Sequence, residues 1–387
     1  KNKKGTDEMA FSSKLGLREV KIENSLLYVN GKRVFLKGVN RHDTSPTRGR
    51  AVNVDDMLKD VLLMKRNNIN TLRTSHYPND ARMMAMLDYY GMYCCAECDL
   101  EDHANQSISD MSSWIPSFVD RIDREVLRDR NHACVVMWSL GNEAGDGKNF
   151  GACYDAAKKL SDLPVHYEGT RMGTDTGGQM FSDFFSKMYP GQKWMRENTS
   201  NLKKPMFICE YAHAMGNAIG NLSEYWDIIE NSNSTVGGCI WDWVDQAIYE
   251  PLELKSGIKK MRTGYDFPGP HQGNFCSNGI IGPEREPSPK LAEVKAAHQW
   301  IKINLTGYNK LKGSASFSVK NTYAFQSLDA HTFVLEVVNN GDIVETYRLK
   351  IDDLIPGRKT EFTVPLASLK KRGENLVNVK IVTVHNF

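Results

Sequence analysis

Two stretches of the chain begin as apolar runs and end on an acid. "VVMWSLGNEAGD" reaches Glu143 and "FICEYAHAMGN" reaches Glu210, each beside a glycine-containing turn. A carboxyl group on its own after a strand is commonly just a polar loop residue. Two of them at equivalent places offer more. Facing each other across a glycosidic bond, one can protonate the leaving oxygen while the other attacks the anomeric carbon or activates water.

The surroundings suit that chemistry. Tyr189, Tyr211, Trp241 and Trp243 cluster near the same run ends, and a flat aromatic wall can bury the C–H face of a sugar while leaving its hydroxyls to polar side chains. The alternative for each is a place in the core. Glu101 and His103 in "LEDHAN" stand two apart, so an extended backbone puts them on one face. With Glu143 they offer a set of ligands for a divalent cation, the carboxylates suiting Mg2+ better than the imidazole does.

What must position these residues is a rhythm of short apolar runs and helical patterns. "VFLKGVN" is followed by "VDDMLKDVLLMKRNN" with apolar residues at helical spacing, then "INTLRTSHYPN", then the helical "DARMMAMLDYYG" before "MYCCAECDLEDH". The alternation continues through "WIPSFVDRIDREVLRDRNH" and "ACVVMWSLGNE" to "PKLAEVKAAHQWI". About eight runs over roughly 270 residues is the size of a (β/α)8 barrel, whose active sites lie at the C-terminal ends of the strands. Glu143 and Glu210 would then end the fourth and seventh strands. A doubly wound open sheet is the competing architecture.

From about residue 306 the texture changes to alternating strands separated by Asn-Gly, Pro-Gly and Arg-Gly turns, the pattern of an all-β sandwich. The expected fold is therefore an α/β TIM barrel over residues 31–305, preceded by a lead-in at 1–30 and followed by a β-sandwich domain at 306–387. Asn30-Gly31 in the lead-in is a hairpin turn signal.

Composition excludes several classes. With 41% hydrophobic and 25% charged residues over 387 positions and a net charge of +2, the chain has the make-up of a globular protein and no field that calls for nucleic acid or an acidic membrane. No apolar run approaches the roughly 20 residues of a membrane span, and the first residues lack the apolar segment of a signal peptide. A soluble protein is expected; the sequence does not fix its compartment. The eight cysteines lie mostly in apolar runs and are expected to be reduced, buried residues. Cys95 and Cys98 have no second pair at zinc spacing.

The stretches "LKGVNRHD", "RTSHYPND", "WSLGNEAGDG", "ICEYAHAMGN", "GGCIWDWVDQ" and "FCSNGII" resemble the β-galactosidases of glycoside hydrolase family 2, in the family's order and spacing across residues 34–300. "EYAHAMGN" and "WDWVDQ" favour galactosidases over the related glucuronidases and mannosidases. The resemblance implies that Glu210 is the nucleophile of a covalent galactosyl intermediate and Glu143 the acid/base. Terminal β-D-galactosyl residues would then be cleaved with retention, the carboxyl groups standing about 5 to 5.5 Å apart.

It further implies that Arg73 holds the nucleophile ionised, and that His42, His76, Asn142 and His213 bind sugar hydroxyls. Tyr189 would assist departure from the nucleophile and Trp241 would form the platform under galactose. Glu101, His103 and Glu143 match the family's Mg2+ ligands. Phe275, through its carbonyl, and Asn278 match part of a Na+ site.

Three departures qualify this. The family's "DEANIETH" is here "AECDLEDH", which puts Ala96 in place of an acid and Asp102 beside the metal ligands, so metal affinity is open to change. "GPHQGN" before Phe275 also differs. Domains that precede and follow the barrel in the family, one of which supplies an Asp to the galactose and Na+ site, have no counterpart in these 387 residues. The chain is therefore expected to be a fragment, with a homo-oligomer possible for the full-length protein. The other readings are a weakly active or inactive carbohydrate-binding piece, because unpaired sugar hydroxyls cost about 1 to 3 kcal/mol each, and a hydrolase of another β-glycoside.

Overall fold

A computed structural model describes the chain except residues 1–2, 6–8, 10–11, 13, 170–171, 174–177 and 384–387. Its contacts divide it into two units, Lys1–His298 and Gln299–Phe387.

Eight parallel strands form the first unit's central sheet: β1 Leu36–Arg41, β2 Thr71–Thr74, β3 Tyr93–Glu97, β4 Val135–Ser139, β5 Val165–His166, β6 Phe185–Ser186, β7 Met206–Tyr211 and β8 Thr235–Ile240. Their order is β6-β7-β8-β1-β2-β3-β4-β5. The two ends meet through a backbone hydrogen bond from Asp183 N to Val165 O of 2.7 Å, which nearly closes the sheet into a barrel. Most of the strands are buried along their whole length, which is why they read as continuous apolar runs rather than as alternation.

The helices are α1 Val54–Arg66, α2 Ala81–Tyr90, α3 Ile115–Asp129, α4 Asn149–Leu160, α5 Gln192–Asn198, α6 Leu222–Asn231, α7 Pro251–Lys255 and α8 Pro289–Ala297. α1 starts where Asn53 accepts a hydrogen bond from Asp56 N, satisfying an otherwise orphaned donor. It buries Met57, Val61 and Met64 against the sheet, the helical spacing seen in the sequence. Among the described residues no helix separates β5 from β6, and none of the helices is long and apolar enough to cross a membrane.

Before the barrel, Val20–Glu23, Leu26–Val29 and Lys32–Arg33 form a small antiparallel sheet. Its last turn has Asn30 and Gly31 both at positive φ, 48° and 74°, as the hairpin signal requires.

Among its described residues the second unit has six strands: β9 Ile301–Asn309, β10 Ser314–Asn321, β11 His331–Asn339, β12 Asp342–Leu349, β13 Lys359–Pro365 and β14 Asn375–Thr383. They form two antiparallel three-stranded sheets, β9-β10-β13 and β12-β11-β14, around one apolar core that includes Phe317, Val319, Phe333, Leu335 and Val364. The sequence pattern placed the boundary at 305/306. Contacts place it at 298/299, because Ile301 already pairs with Asn321.

Candidate active site

The site is organised around Arg73, the third residue of β2, which is fully buried. Its Nε and Nη2 donate to the two oxygens of Glu97, at the end of β3, at 2.7 and 3.0 Å. Nη1 donates to Asn40 Oδ1 on β1 at 2.8 Å and to Glu210 Oε1 on β7 at 3.0 Å. Nη2 also donates to Asn142 Oδ1 at 2.8 Å, just beyond β4. Five strand ends are thus tied by one guanidinium and its partner Glu97. Burial works against the charge on Arg73, but Glu97 and then Glu210 more than reverse this and hold its pKa well above the usual value.

Glu97 has all its acceptor positions filled, since His76 Nδ1 lies at 2.8 Å from Oε1 and Ser139 Oγ at 2.6 Å from Oε2. Burial pushes its pKa up, with Arg73 the strongest opposing influence. A carboxylate only accepts, so His76 Nδ1 carries the proton and Nε2 is left as an acceptor, 3.7 Å from Glu210 Oε1. Burial, aided by the Arg73 charge, lowers the His76 pKa to about 3. His76 is therefore a neutral imidazole.

Glu210 Oε2 accepts from Tyr189 Oη at 2.9 Å, while Tyr189 N donates to Glu210 O at 2.8 Å. Burial and then the Glu210 charge push the Tyr189 phenol well up, so it remains a donor. The His76 ring stacks on Trp241 at 5.1 Å and 5°, and His42 stands edge-on to both. His213 packs against Tyr189 and Phe275. The ring contact of His76 covers one face of Trp241, so a sugar platform has only its other face.

Glu143 differs from Glu210. Gly141, at φ 145°, has no room for a side chain, since a Cβ there would lie 2.4 Å from Leu100 O. This lets the chain turn so that Glu143, itself at φ 45°, projects at the rim with its side chain 41% exposed. Its backbone is held on both sides: N donates to Glu168 Oε1 at 2.6 Å, and O accepts from Gln106 Nε2 at 2.7 Å. Loss of hydration, opposed by Arg73, pushes the Glu168 pKa up to about 8. Glu143, His103 and Glu168 line a cavity of about 740 Å³.

The proposed magnesium ligands are partly assembled. His103 Nε2 and Glu143 Oε2 are 3.7 Å apart, a separation that a shared ion can span. Glu101 Oε1 instead accepts from Asn142 Nδ2 at 3.0 Å. Beside them both oxygens of Asp102 are buried without a hydrogen-bond partner, and burial raises its pKa to about 6. A carboxylate oxygen beside a ring nitrogen, as in Glu143 and His103, is a donor pair that a divalent cation can use. Of the two residues expected to hold sodium, Asn278 has its Oδ1 buried and unpartnered, while the Phe275 carbonyl already accepts from Asn278 Nδ2 at 2.8 Å.

Two aromatic candidates lie elsewhere. Tyr211 is fully buried, and its hydroxyl accepts from Trp226 Nε1 at 3.1 Å. Trp243 donates to Asp60 Oδ1 on α1 at 2.8 Å. Both serve the core behind the sheet rather than a sugar face. Conversely, Glu97, Asn40, Ser139 and Glu168 were not singled out from the sequence. Glu97 carried the same signal as Glu210, an acid closing an apolar run, in "MYCCAE".

Comparisons with known proteins agree with this architecture. Residues 20–303 match the model for "Glycosyl hydrolases family 2, TIM barrel domain", and residues 317–386 that for "Beta-galactosidase, domain 4". A β-galactosidase of Priestia megaterium is 40% identical over 361 residues, covering 90% of this chain and 34% of that protein. Those of Photobacterium profundum and Lactococcus lactis are 35% and 36% identical, each over 86% of this chain. The chain spans about a third of the length of these relatives. A β-glucuronidase structure from Ruminococcus gnavus superposes with a TM-score of 0.58 at 18% identity, covering 74% of this chain and 53% of that one, which shows a shared fold.

Proposed function

We propose, from the premise that this chain belongs to glycosyl hydrolase family 2, that it carries the catalytic centre of a retaining β-galactosidase. The observation that carries this is Glu210, held by Arg73 on one oxygen and by Tyr189 on the other, while Glu143, just beyond the end of β4, lines a cavity with its side chain 41% exposed. The galactosidase specificity rests on relatives such as the three named above, each a β-galactosidase.

In this reading Glu210 attacks the anomeric carbon as Glu143 protonates the departing oxygen. Glu143 then removes a proton from the water that releases the sugar. Arg73 and Tyr189 fix the Glu210 carboxylate in line before substrate arrives. His76, Asn142, His42 and His213 hydrogen-bond the sugar's hydroxyls, and the open face of Trp241 packs on its C–H surface. Bound Mg2+, held by Glu101, His103 and Glu143, would supply positive charge beside the acid/base, and Na+ would rest on Phe275 O and Asn278.

The test is release of chromophore from an aryl β-galactoside by the full-length protein. Glu210→Gln is expected to lower kcat by at least about 10⁴-fold with the fold intact, and a covalent galactosyl adduct should be trapped on Glu210 by a slow fluorinated substrate. Equal activity in Glu210→Gln would overturn the assignment. Turnover of aryl β-glucuronides in preference to galactosides would leave the mechanism and remove the specificity.

A further inference from the structure

Beneath the floor of the site lies a cluster that the proposed hydrolysis does not use. One ligand atom each from His166 at the end of β5, Glu168 two residues on, and Cys209 on β7 all fall within 4.8 Å of one another, and no other trio of His, Cys, Asp or Glu among the described residues does so. His166 and Cys209 are fully buried, and Glu168 opens onto the cavity beside Glu143.

The imidazole is already oriented as a ligand would be. Ser139 Oγ has one proton, which the 2.6 Å contact commits to the Glu97 carboxylate. At 2.9 Å from His166 Nδ1, the same oxygen must then accept, so Nδ1 is the protonated nitrogen. Nε2 keeps its lone pair and turns it away from β4, toward Ser186 Oγ on β6 at 2.9 Å. A histidine whose far nitrogen donates, through a hydroxyl, to a carboxylate has the supporting contacts typical of metal-bound imidazoles.

We propose that His166 Nε2, Cys209 Sγ and the Glu168 carboxylate form a second metal site, selective for a thiophilic divalent ion of the Zn2+ type and separate from the Glu101–His103–Glu143 set. Three atoms no more than 4.8 Å apart share a centre within about 2.8 Å of each, so ligand movements under about 1 Å reach zinc bond lengths of about 2.0 to 2.3 Å. Ser186 Oγ or a water from the cavity completes four-coordination. A thiolate with an imidazole discriminates against Mg2+, which prefers an all-oxygen shell. On binding, the thiol proton leaves to solvent and no electron is transferred. Because Glu168 also accepts from Glu143 N, occupation of this site couples to the placement of Glu143.

Titration of the metal-free chain with Co2+ tests the site. One equivalent is expected to give near-ultraviolet thiolate-to-cobalt absorption and the visible bands of a four-coordinate ion, both displaced by Zn2+. Cys209→Ser should abolish the thiolate band, whereas Glu101→Gln combined with His103→Ala should leave it. Ser139→Ala, which touches no ligand atom, should weaken Co2+ binding by at least about 10-fold without changing the spectrum. No thiolate band at one equivalent, or one that survives Cys209→Ser, overturns the proposal. If Cys209→Ser fails to fold by thermal melt, unchanged affinity in Ser139→Ala overturns it instead.

Discussion

Two arginines on neighbouring barrel strands are both fully buried, and they organise networks that look alike in composition but differ in one respect. Arg41, at the end of β1, donates to Asp60 Oδ2, Asp43 Oδ1 and Asn79 Oδ1. Asp60 also accepts from Trp243 Nε1 and Arg285 Nε. The network ties α1 to the sheet. Arg73 likewise neutralises one fully buried acid, Glu97. Its second carboxylate, Glu210, stands with neutral His76 and Tyr189 at the strand ends, held on its other oxygen by the Tyr189 hydroxyl at 2.9 Å. A buried charge whose partners join a helix to a strand holds the wall of the barrel together. One whose partners all stand at the ends of barrel strands arranges the mouth of the barrel, where such folds place their chemistry.

Removing one member should separate the two networks. Asp60→Asn leaves Arg41 and Arg285 around a neutral amide, and breaking a buried pair in this way costs about 3 to 5 kcal/mol. The expected outcome is a large fall in the urea midpoint, with turnover per folded molecule unchanged. A loss of turnover without a loss of stability would show that the Arg41 network reaches the site.

The complementary change is Arg73→Lys. An ammonium cannot reproduce the planar fork that reaches Glu97, Asn40, Asn142 and Glu210 together. Misplacement of Glu210 is expected to cut kcat/KM on an aryl β-galactoside by about 100-fold, with a smaller fall in the urea midpoint than Asp60→Asn produces. Activity near the parent level would mean that the other contacts of Glu210 suffice to place it.

The distinction between these networks was only partly legible in the sequence. Barrel strands buried on both faces announce themselves as apolar runs, and Glu143 and Glu210 stood out because an acid ended such a run. Glu97 ended one too, but nothing local reveals that its carboxylate meets an arginine from the preceding strand. Trp243 and Tyr211 show the opposite failure. They share a stretch with Trp241 or Glu210, yet they leave their strands on the helix-facing side, and that direction depends on how β7 and β8 lie against their neighbours. The tautomer of His166 is decided by Ser139, 27 residues away. The domain boundary shifted by a few residues because strand pairing, rather than composition, decides where β9 begins.

A smaller effect sharpens the same contrast through pH. The Arg73 network contains a histidine and the Arg41 network, as described, contains none. His76 has a folded pKa of about 3, lowered by burial and then by Arg73, against about 6.5 when unfolded. Above pH 6.5 the imidazole is neutral in both states and its contribution to stability is fully present. As the pH falls from 6.5 toward 3, the unfolded chain takes up a proton that the native chain refuses, so stability is lost at up to about 1.4 kcal/mol per pH unit. His76→Gln should remove that share of the acid-side slope in urea unfolding at stepped pH, whereas Asp60→Asn, though far less stable, should keep it. An unchanged slope in His76→Gln would mean that His76 is protonated in the native state, and with that the picture of a neutral imidazole between Glu97 and Glu210 would fail.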